Sequence, residues 1–304
     1  MSSDHPPTID PPAALRWIRL PAPDSPWLHE EVGRRMEERL QWIKLQPRIW
    51  ADWEPTRGGL SAHAAVARRY PGSECFVVEA NAQRAELAQR VLRKPWWSRS
   101  RWAGPAPRFD LPPDGTAQML WANMALHMAA DPQDLIAQWH RTLGADGFLM
   151  FSCLGPDTLR ELRHLYQTRG WPPPAHEFTD MHDWGDMLVN AGFAEPVMDM
   201  ERITLTFETA ERLLGELRQL GRNLHSGRFA ALRGKRWRAQ LLQALLAQAP
   251  ALARPEKLCL TFEVIYGHAL KPPPRLPVQG ETVLSLDEMR RVLRQGKGAP
   301  ASRT

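Results

Sequence analysis

Residues 48–60 read RIWADWEPTRGGL. A β-like run, Arg48 to Asp52, passes into a loop that ends in two glycines, and a helical run follows from about Leu60 to Arg69. Strand, glycine-bearing loop and helix in that order form the opening unit of a parallel α/β sheet, where the loop faces a cofactor. Two positions that such a loop wants as glycine hold Glu54 and Thr56, with Pro55 between them. The stretch is a cofactor loop by position and a poor one by composition.

The flanking sequence supports the α/β reading. Leu28, Val32, Met36, Leu40 and Ile43 lie at helical spacing before Pro47. CFVVEA (75–80) is a compact apolar strand followed by a helix to about Arg93, and 94–115 is loop-like. AQMLWANM (117–124) reads as a strand, DPQDLIAQWHRTL (131–143) as a helix and GFLMFSCL (147–154) as a buried strand. Another helix follows, with Asp157 as its N-cap and Gly170 as its stop. Strands alternating with helices predict a parallel sheet covered on both faces. The pattern then changes: a helix near 180–192, an alternating strand at 198–208, a basic helical stretch and a last strand at 259–271. These predict an antiparallel strand pair at the sheet edge with residues 209–255 inserted between its members. Residues 1–26 are proline-rich and aperiodic, which predicts disorder; 27–271 form the domain, and 272–304 read as a proline-rich basic tail with a short helix from Met289 to Gln295.

Composition narrows the function. The chain has 304 residues, 43% hydrophobic and 24% charged, as expected of a soluble globular protein. No window of about 18 uncharged apolar residues spans a membrane, and the N-terminus has no secretory pattern. Cys75, Cys153 and Cys259 form no CxxC pair, which argues against zinc and a disulfide framework and for a reducing cytoplasm. From Leu217 to Pro255 there is no acidic residue, while Arg218, Arg222, Arg228, Arg233, Lys235, Arg236 and Arg238 all fall inside. This is either a solvated helix face or a surface for an anionic partner.

In a doubly wound sheet, ligands bind outside the carboxyl ends of the strands where strand order reverses. Three segments gather there: the 52–59 loop; Glu79, either a ribose acceptor or a helix N-terminal acid; and WANMALHM (121–128), with Asn123 and His127 as lining or structural residues.

The order of these elements resembles a class I S-adenosylmethionine-dependent methyltransferase. NMALHMAADP (123–132), FSCLGPDTLRELR (151–163), FTDMHDWGDMLVNAGFAEPVMDMERITLTF (178–207) and TFEVIYGHALKP (261–272) resemble the malonyl-acyl-carrier-protein O-methyltransferases of biotin synthesis. The resemblance implies a Rossmann-like sheet of seven strands with the last pair antiparallel. It implies methyl transfer from S-adenosylmethionine to the free carboxylate of a malonyl group on acyl carrier protein. On the donor side it assigns Asp52, Gly58, Glu79, Asp110, Asn123 and His127; on the acceptor side, Arg160, His182 and Tyr266, with Arg160 alternatively a packing residue. The acidic carrier protein becomes the natural partner of the basic stretch, and nucleic acid the weaker candidate, since no nucleic-acid-binding motif accompanies the charge.

The cofactor side departs from the family. Its loop pattern D-x-G-x-G-x-G falls here on Asp52, Trp53, Glu54, Pro55, Thr56, Arg57 and Gly58. Side chains at the first two glycines occupy space meant for the ligand, and Pro55 removes an N–H. The family's tyrosine-bearing lid is replaced by LPAPDSPW (20–27), and KPWWSRSRW (94–102) stands in place of an ordered strand. Two readings follow: a carboxyl methyltransferase of weakened activity, or a catalytically inactive relative that binds an acyl carrier protein or another acidic partner.

Overall fold

The computed structural model describes residues 9–21, 24–93, 105–248, 258–274, 287 and 290. Two units separate: Met1–Pro272 and Pro273–Thr304. In the second, Asp287 and Arg290 are helical and lie 3.8 Å apart; most of the expected tail lies outside the described residues, as does 94–102.

The first unit is built on six strands: β1 (Ile49–Trp53), β2 (Glu74–Val78), β3 (Ala117–Ala122), β4 (Leu143–Leu154), β5 (Ala194–Phe207) and β6 (Leu258–Leu270). Their order is β2-β1-β3-β4-β6-β5. The first four run parallel; β6 lies antiparallel between β4 and β5. The α/β class and the antiparallel edge are as expected, while six strands stand among the described residues rather than seven. At the outer edge of β2, among the described residues, stands an isolated bridge, Phe76 to Arg108.

Helices cover both faces. On one lie α2 (Trp27–Arg39), α4 (Leu60–Arg69), α7 (Arg160–Thr168), α9 (Ala210–Leu220) and α10 (Lys235–Gln248), over a core that includes Trp50, Trp121, Phe148, Leu162 and Phe262. On the other, α6 (Pro132–Thr142) and α8 (Met181–Asn190) pack on Trp53, Phe151, Trp139 and Trp184. Trp50, Trp121, Trp139 and Trp184 are fully buried, and each removes roughly 150–250 Å² from water. The edge strand β5 alternates half-buried and exposed residues, whereas β6, with neighbours on both sides, is almost continuously buried. Where β6 crosses β4, Gly267 pairs with Phe151, and a Cβ there would run into the Phe151 ring. Glycine is required by the close approach.

Two local expectations are corrected. The segment expected to be disordered holds α1 (Pro11–Arg19), a nine-residue helix whose Ala13, Ala14 and Trp17 pack with Ile9, Met128 and Leu224. So short a helix is marginal alone; its packing surface lies far away in sequence. Asp157 is not an N-cap: α7 begins at Arg160 behind Leu159 in the left-handed region, and Asp157 pairs with Arg202 at 2.8 Å. The remaining helices, α3 (Pro55–Gly58) and α5 (Ala82–Leu92), stand at the site.

Candidate functional site: a filled crevice beside an open chamber

Strand order reverses between β1 and β3, and the crevice outside their carboxyl ends is the fold's ligand position. Here it is tiled with the chain's own side chains. The backbone turns off β1 at Glu54, whose φ of 55° is left-handed, a conformation that costs an L-residue about 1–3 kcal/mol. Pro55 then starts the single turn α3. The Glu54 carboxylate accepts from Arg84 at 2.7 Å. Arg84, at the start of α5 and 1% exposed, also lies 3.7 Å from Glu79. Glu79 takes the Thr56 N–H at 2.8 Å, so the acid expected at a ribose is bonded to the loop itself. Burial pushes the Glu79 carboxyl up to about 7, against the lowering by its Thr56 bonds.

Arg57 completes the filling. Its guanidinium donates to the carbonyls of Trp17 (2.6 Å) and Leu20 (3.0 Å) and stacks 3.5 Å from the Trp17 ring centre. Burial and the neighbouring Arg84 bring its pKa down to about 10. Gly58 is held by Asn123, which donates to the Gly58 and His29 carbonyls and accepts from Ser152 at 2.6 Å. Asp52 is buried against His63 at 2.7 Å, its carboxyl raised by burial. Asp110 is exposed just past the bridge at Arg108. Of the donor-side residues only Gly58 and Asn123 line the remaining space; Asp52, turned to His63, Glu79, turned to the loop, and Asp110 do not. That space is about 20 Å³, between Trp17, His29, Glu54, Arg57, Asn123 and Met128. It is room for about one water molecule.

S-adenosylmethionine does not fit these residues. Glu54 and Thr56 put side chains where a donor loop carries glycine, the Thr56 N–H is spent on Glu79, and Arg57, bonded to the end of α1, leaves about 20 Å³ beside Trp17.

Next to the crevice the fold is open. A chamber of about 800 Å³ lies between α7, residues 174–178, α9 and α10, and shares Met128 and Leu220 with the crevice wall. Its walls are apolar and aromatic: Leu154, Leu162, Tyr166, Phe178, Trp237 and Phe262 among others. Arg218, Arg222, Arg233 and Arg238 also line it. Arg233 stacks 4.0 Å from the Trp237 ring centre. Behind the chamber's lining, buried from it, lie polar atoms without partners. His176 donates from Nε2 to the His127 carbonyl at 2.9 Å, and burial holds its pKa at about 4, so the ring is neutral and Nδ1 is an unpartnered acceptor. His127 Nδ1 and Trp237 Nε1 are likewise buried without partners; burial, with His29 and His176 nearby, lowers His127 well below the usual histidine value.

His127 therefore belongs to the chamber wall. Arg160 and His182 do not line the chamber; their side chains are 57% and 80% exposed, beside Glu161 and Asp180. Tyr266 is buried under α2, donating to Glu201 with Arg39 over its ring. Of the basic series, Arg228 is tied to Asp10 at 2.5 Å, and Lys235 and Arg236 are exposed at the start of α10. Sequence reasoning missed Arg57 and Arg84 as crevice residues, and His176 and Trp237 as chamber residues. Among the described residues, no group of three or more His, Cys, Asp or Glu side chains is placed to hold a metal.

Sheet order, antiparallel edge and rim crevice define a class I methyltransferase fold. Solved structures agree: a putative methyltransferase of Bacillus halodurans C-125 (TM-score 0.53, 14% identity, 79% of this chain and 100% of that one) and the YcgJ protein of Bacillus subtilis (0.51, 14%, 79% and 99%). No protein-family model matches the chain. It is similar to the malonyl-[acyl-carrier protein] O-methyltransferases of Gallionella capsiferriformans (38% identical, covering 84% of this chain and 88% of the relative) and Laribacter hongkongensis (36%, 82% and 84%). The chain belongs to the malonyl-[acyl-carrier protein] O-methyltransferase family, bearing out the resemblance read from residues 123–272.

Proposed function

We propose that this chain recognises the acceptor of its family's reaction, a malonyl-type acyl group carried by an acyl carrier protein, in the chamber beside the crevice. The reaction by which the family is named places a methyl group on that acyl group's free carboxylate, with S-adenosylmethionine as donor and biotin synthesis as its setting. The observation that carries the proposal is the chamber's composition: a largely apolar chamber of about 800 Å³ with four arginines in its lining. A pocket of that volume exceeds what three carbons need, and suits an acyl group together with the arm that presents it. Arg218, Arg222, Arg233 and Arg238 supply the field for an anionic acyl end and an acidic carrier. In this reading carboxylate steering falls to these arginines, because Arg160 and His182 face solvent and Tyr266 is engaged with Glu201.

Among the described residues no helix is long and apolar enough to cross a membrane; the cytoplasm is the compartment this partner implies. A second reading, recognition without methyl transfer, is favoured by the filled crevice. The test common to both is binding of malonyl-loaded acyl carrier protein, followed by fluorescence anisotropy. Charge reversal at Arg218, Arg233 and Arg238 together is expected to weaken it at least about tenfold, and the binding to fall with salt. Failure to bind, or binding untouched by the reversal, would overturn the proposal.

A further inference from the structure

We infer that this chain does not hold S-adenosylmethionine: its donor crevice has become the seat of α1, and the protein binds its acceptor without methylating it. The last clause rests on the function proposed above; the first stands on the crevice alone.

Three features close the crevice independently. The first is backbone. A donor loop offers N–H groups to its ligand, and glycines let the ligand approach. Here Pro55 has no N–H, the Thr56 N–H bonds Glu79, and the Arg57 and Gly58 N–H groups bond the Glu54 carbonyl. The second is charge. Glu54 is bonded to Arg84 and Glu79 Oε1 takes the Thr56 N–H, while Glu79 Oε2 and Arg84 Nε, 3.7 Å apart, are buried beside each other without a hydrogen-bond partner. The third is space, of which about 20 Å³ remains, against the roughly 300 Å³ or more of an ordinary small-molecule site.

What occupies the site is specific. The C-terminal end of a helix leaves carbonyls without partners and carries partial negative charge. The carbonyls at the end of α1 are met from the crevice: Trp17 and Leu20 by Arg57, Ile18 by Arg84 at 3.2 Å and by Asn81 at 2.7 Å. Cations thus face the negative end of the helix at the place where a donor loop would offer its amides. The other end of α1 is fixed as well. The Asp10 N–H donates to the Leu224 carbonyl at 2.9 Å, its carboxylate pairs with Arg228, and Ile9 bridges His225. The helix is anchored at both ends.

The experiment is a calorimetric titration of S-adenosylmethionine and S-adenosylhomocysteine into the full chain, beside the malonyl-carrier binding measurement. The expected result is no binding up to about 1 mM ligand while the malonyl carrier protein binds. Micromolar binding of either nucleotide would overturn the inference. Loss of carrier binding alone would overturn the acceptor reading and leave the closed crevice standing. A second arm separates a seat from a removable cover. The double variant Trp17→Ala/Arg57→Gly loosens α1 but keeps Glu54, Pro55 and the Glu54–Arg84 pair, and is expected to remain silent toward both nucleotides. If that variant, folded by its melting curve, binds them at micromolar concentration, α1 is a lid over a working donor site and the inference fails.

Discussion

Replacing Glu79 by Gln tests whether burial governs the crevice. Glu79 Oε1 accepts the Thr56 N–H, and a Gln amide oxygen can keep that bond. What changes is charge. The carboxyl stands at about 7 instead of the usual 4.5, with burial as the largest cause. A carboxyl whose folded pKa lies above its unfolded value holds its proton in the folded state between the two. The stability it contributes is present at low pH and is lost as pH rises from about 4.5 through about 7. That gap corresponds to on the order of 3 kcal/mol. The buried His29 and His176, both held at about 4, act in the opposite direction but are common to both proteins and cancel in the comparison. Glu79→Gln should therefore match the parent near pH 4.5 and exceed it by about 3 kcal/mol at pH 8. With an m-value of roughly 3 kcal/mol/M, the urea midpoint rises by about 1 M. The assay is urea unfolding followed by tryptophan fluorescence across pH 4.5 to 8.5. A variant less stable than the parent at pH 8 would mean that attraction to Arg84 at 3.7 Å outweighs burial, and the reasoning would be refuted.

Two further outcomes follow from the same geometry. Arg57→Ala removes two charge-assisted hydrogen bonds and the Trp17 stack, partly offset by relief of a buried cation. A net loss of about 2 kcal/mol should appear in the melting temperature, with faster proteolysis within residues 9–21. Leu214→Trp fills the chamber wall from α9; malonyl-carrier affinity should fall at least about tenfold while stability changes by less than about 1 kcal/mol, read by anisotropy and melting on one preparation.

The sheet was legible in sequence wherever one face or both had to be apolar. CFVVEA, GFLMFSCL and the alternating run at 198–208 each declared a strand, and each is one within a few residues. The antiparallel edge was legible too, because no helix of the earlier crossover type separates the last two strands. Helix α1 was not: PPAALRWIR is short and follows prolines, and what stabilises it is Arg57, Arg84, Asn81 and Leu224, 37 or more residues away in sequence in the closest case. The loop's faults were readable as missing glycines, but the partner of its new acid, Arg84, was not, since nothing local distinguishes a buried arginine on α5 from a surface one. The chamber escaped for a related reason. Its walls come from separate segments that meet only when the insertion folds over the sheet end.

The charged series in the crevice bears on how such a protein can change. Changing Glu54 to glycine alone would leave Arg84 beside Glu79 without its 2.7 Å partner; breaking a buried pair from one side costs about 3–5 kcal/mol, more than the about 1–3 kcal/mol returned by relief of the left-handed backbone. Removing Arg84 first would instead leave two carboxylates facing each other. Either single step passes through a less stable protein, and Arg57 and α1 still bar the entrance afterward. The route to a glycine loop is thus a valley rather than a slope, whereas the apolar chamber beside it, lined by side chains from separate segments, can be altered one residue at a time.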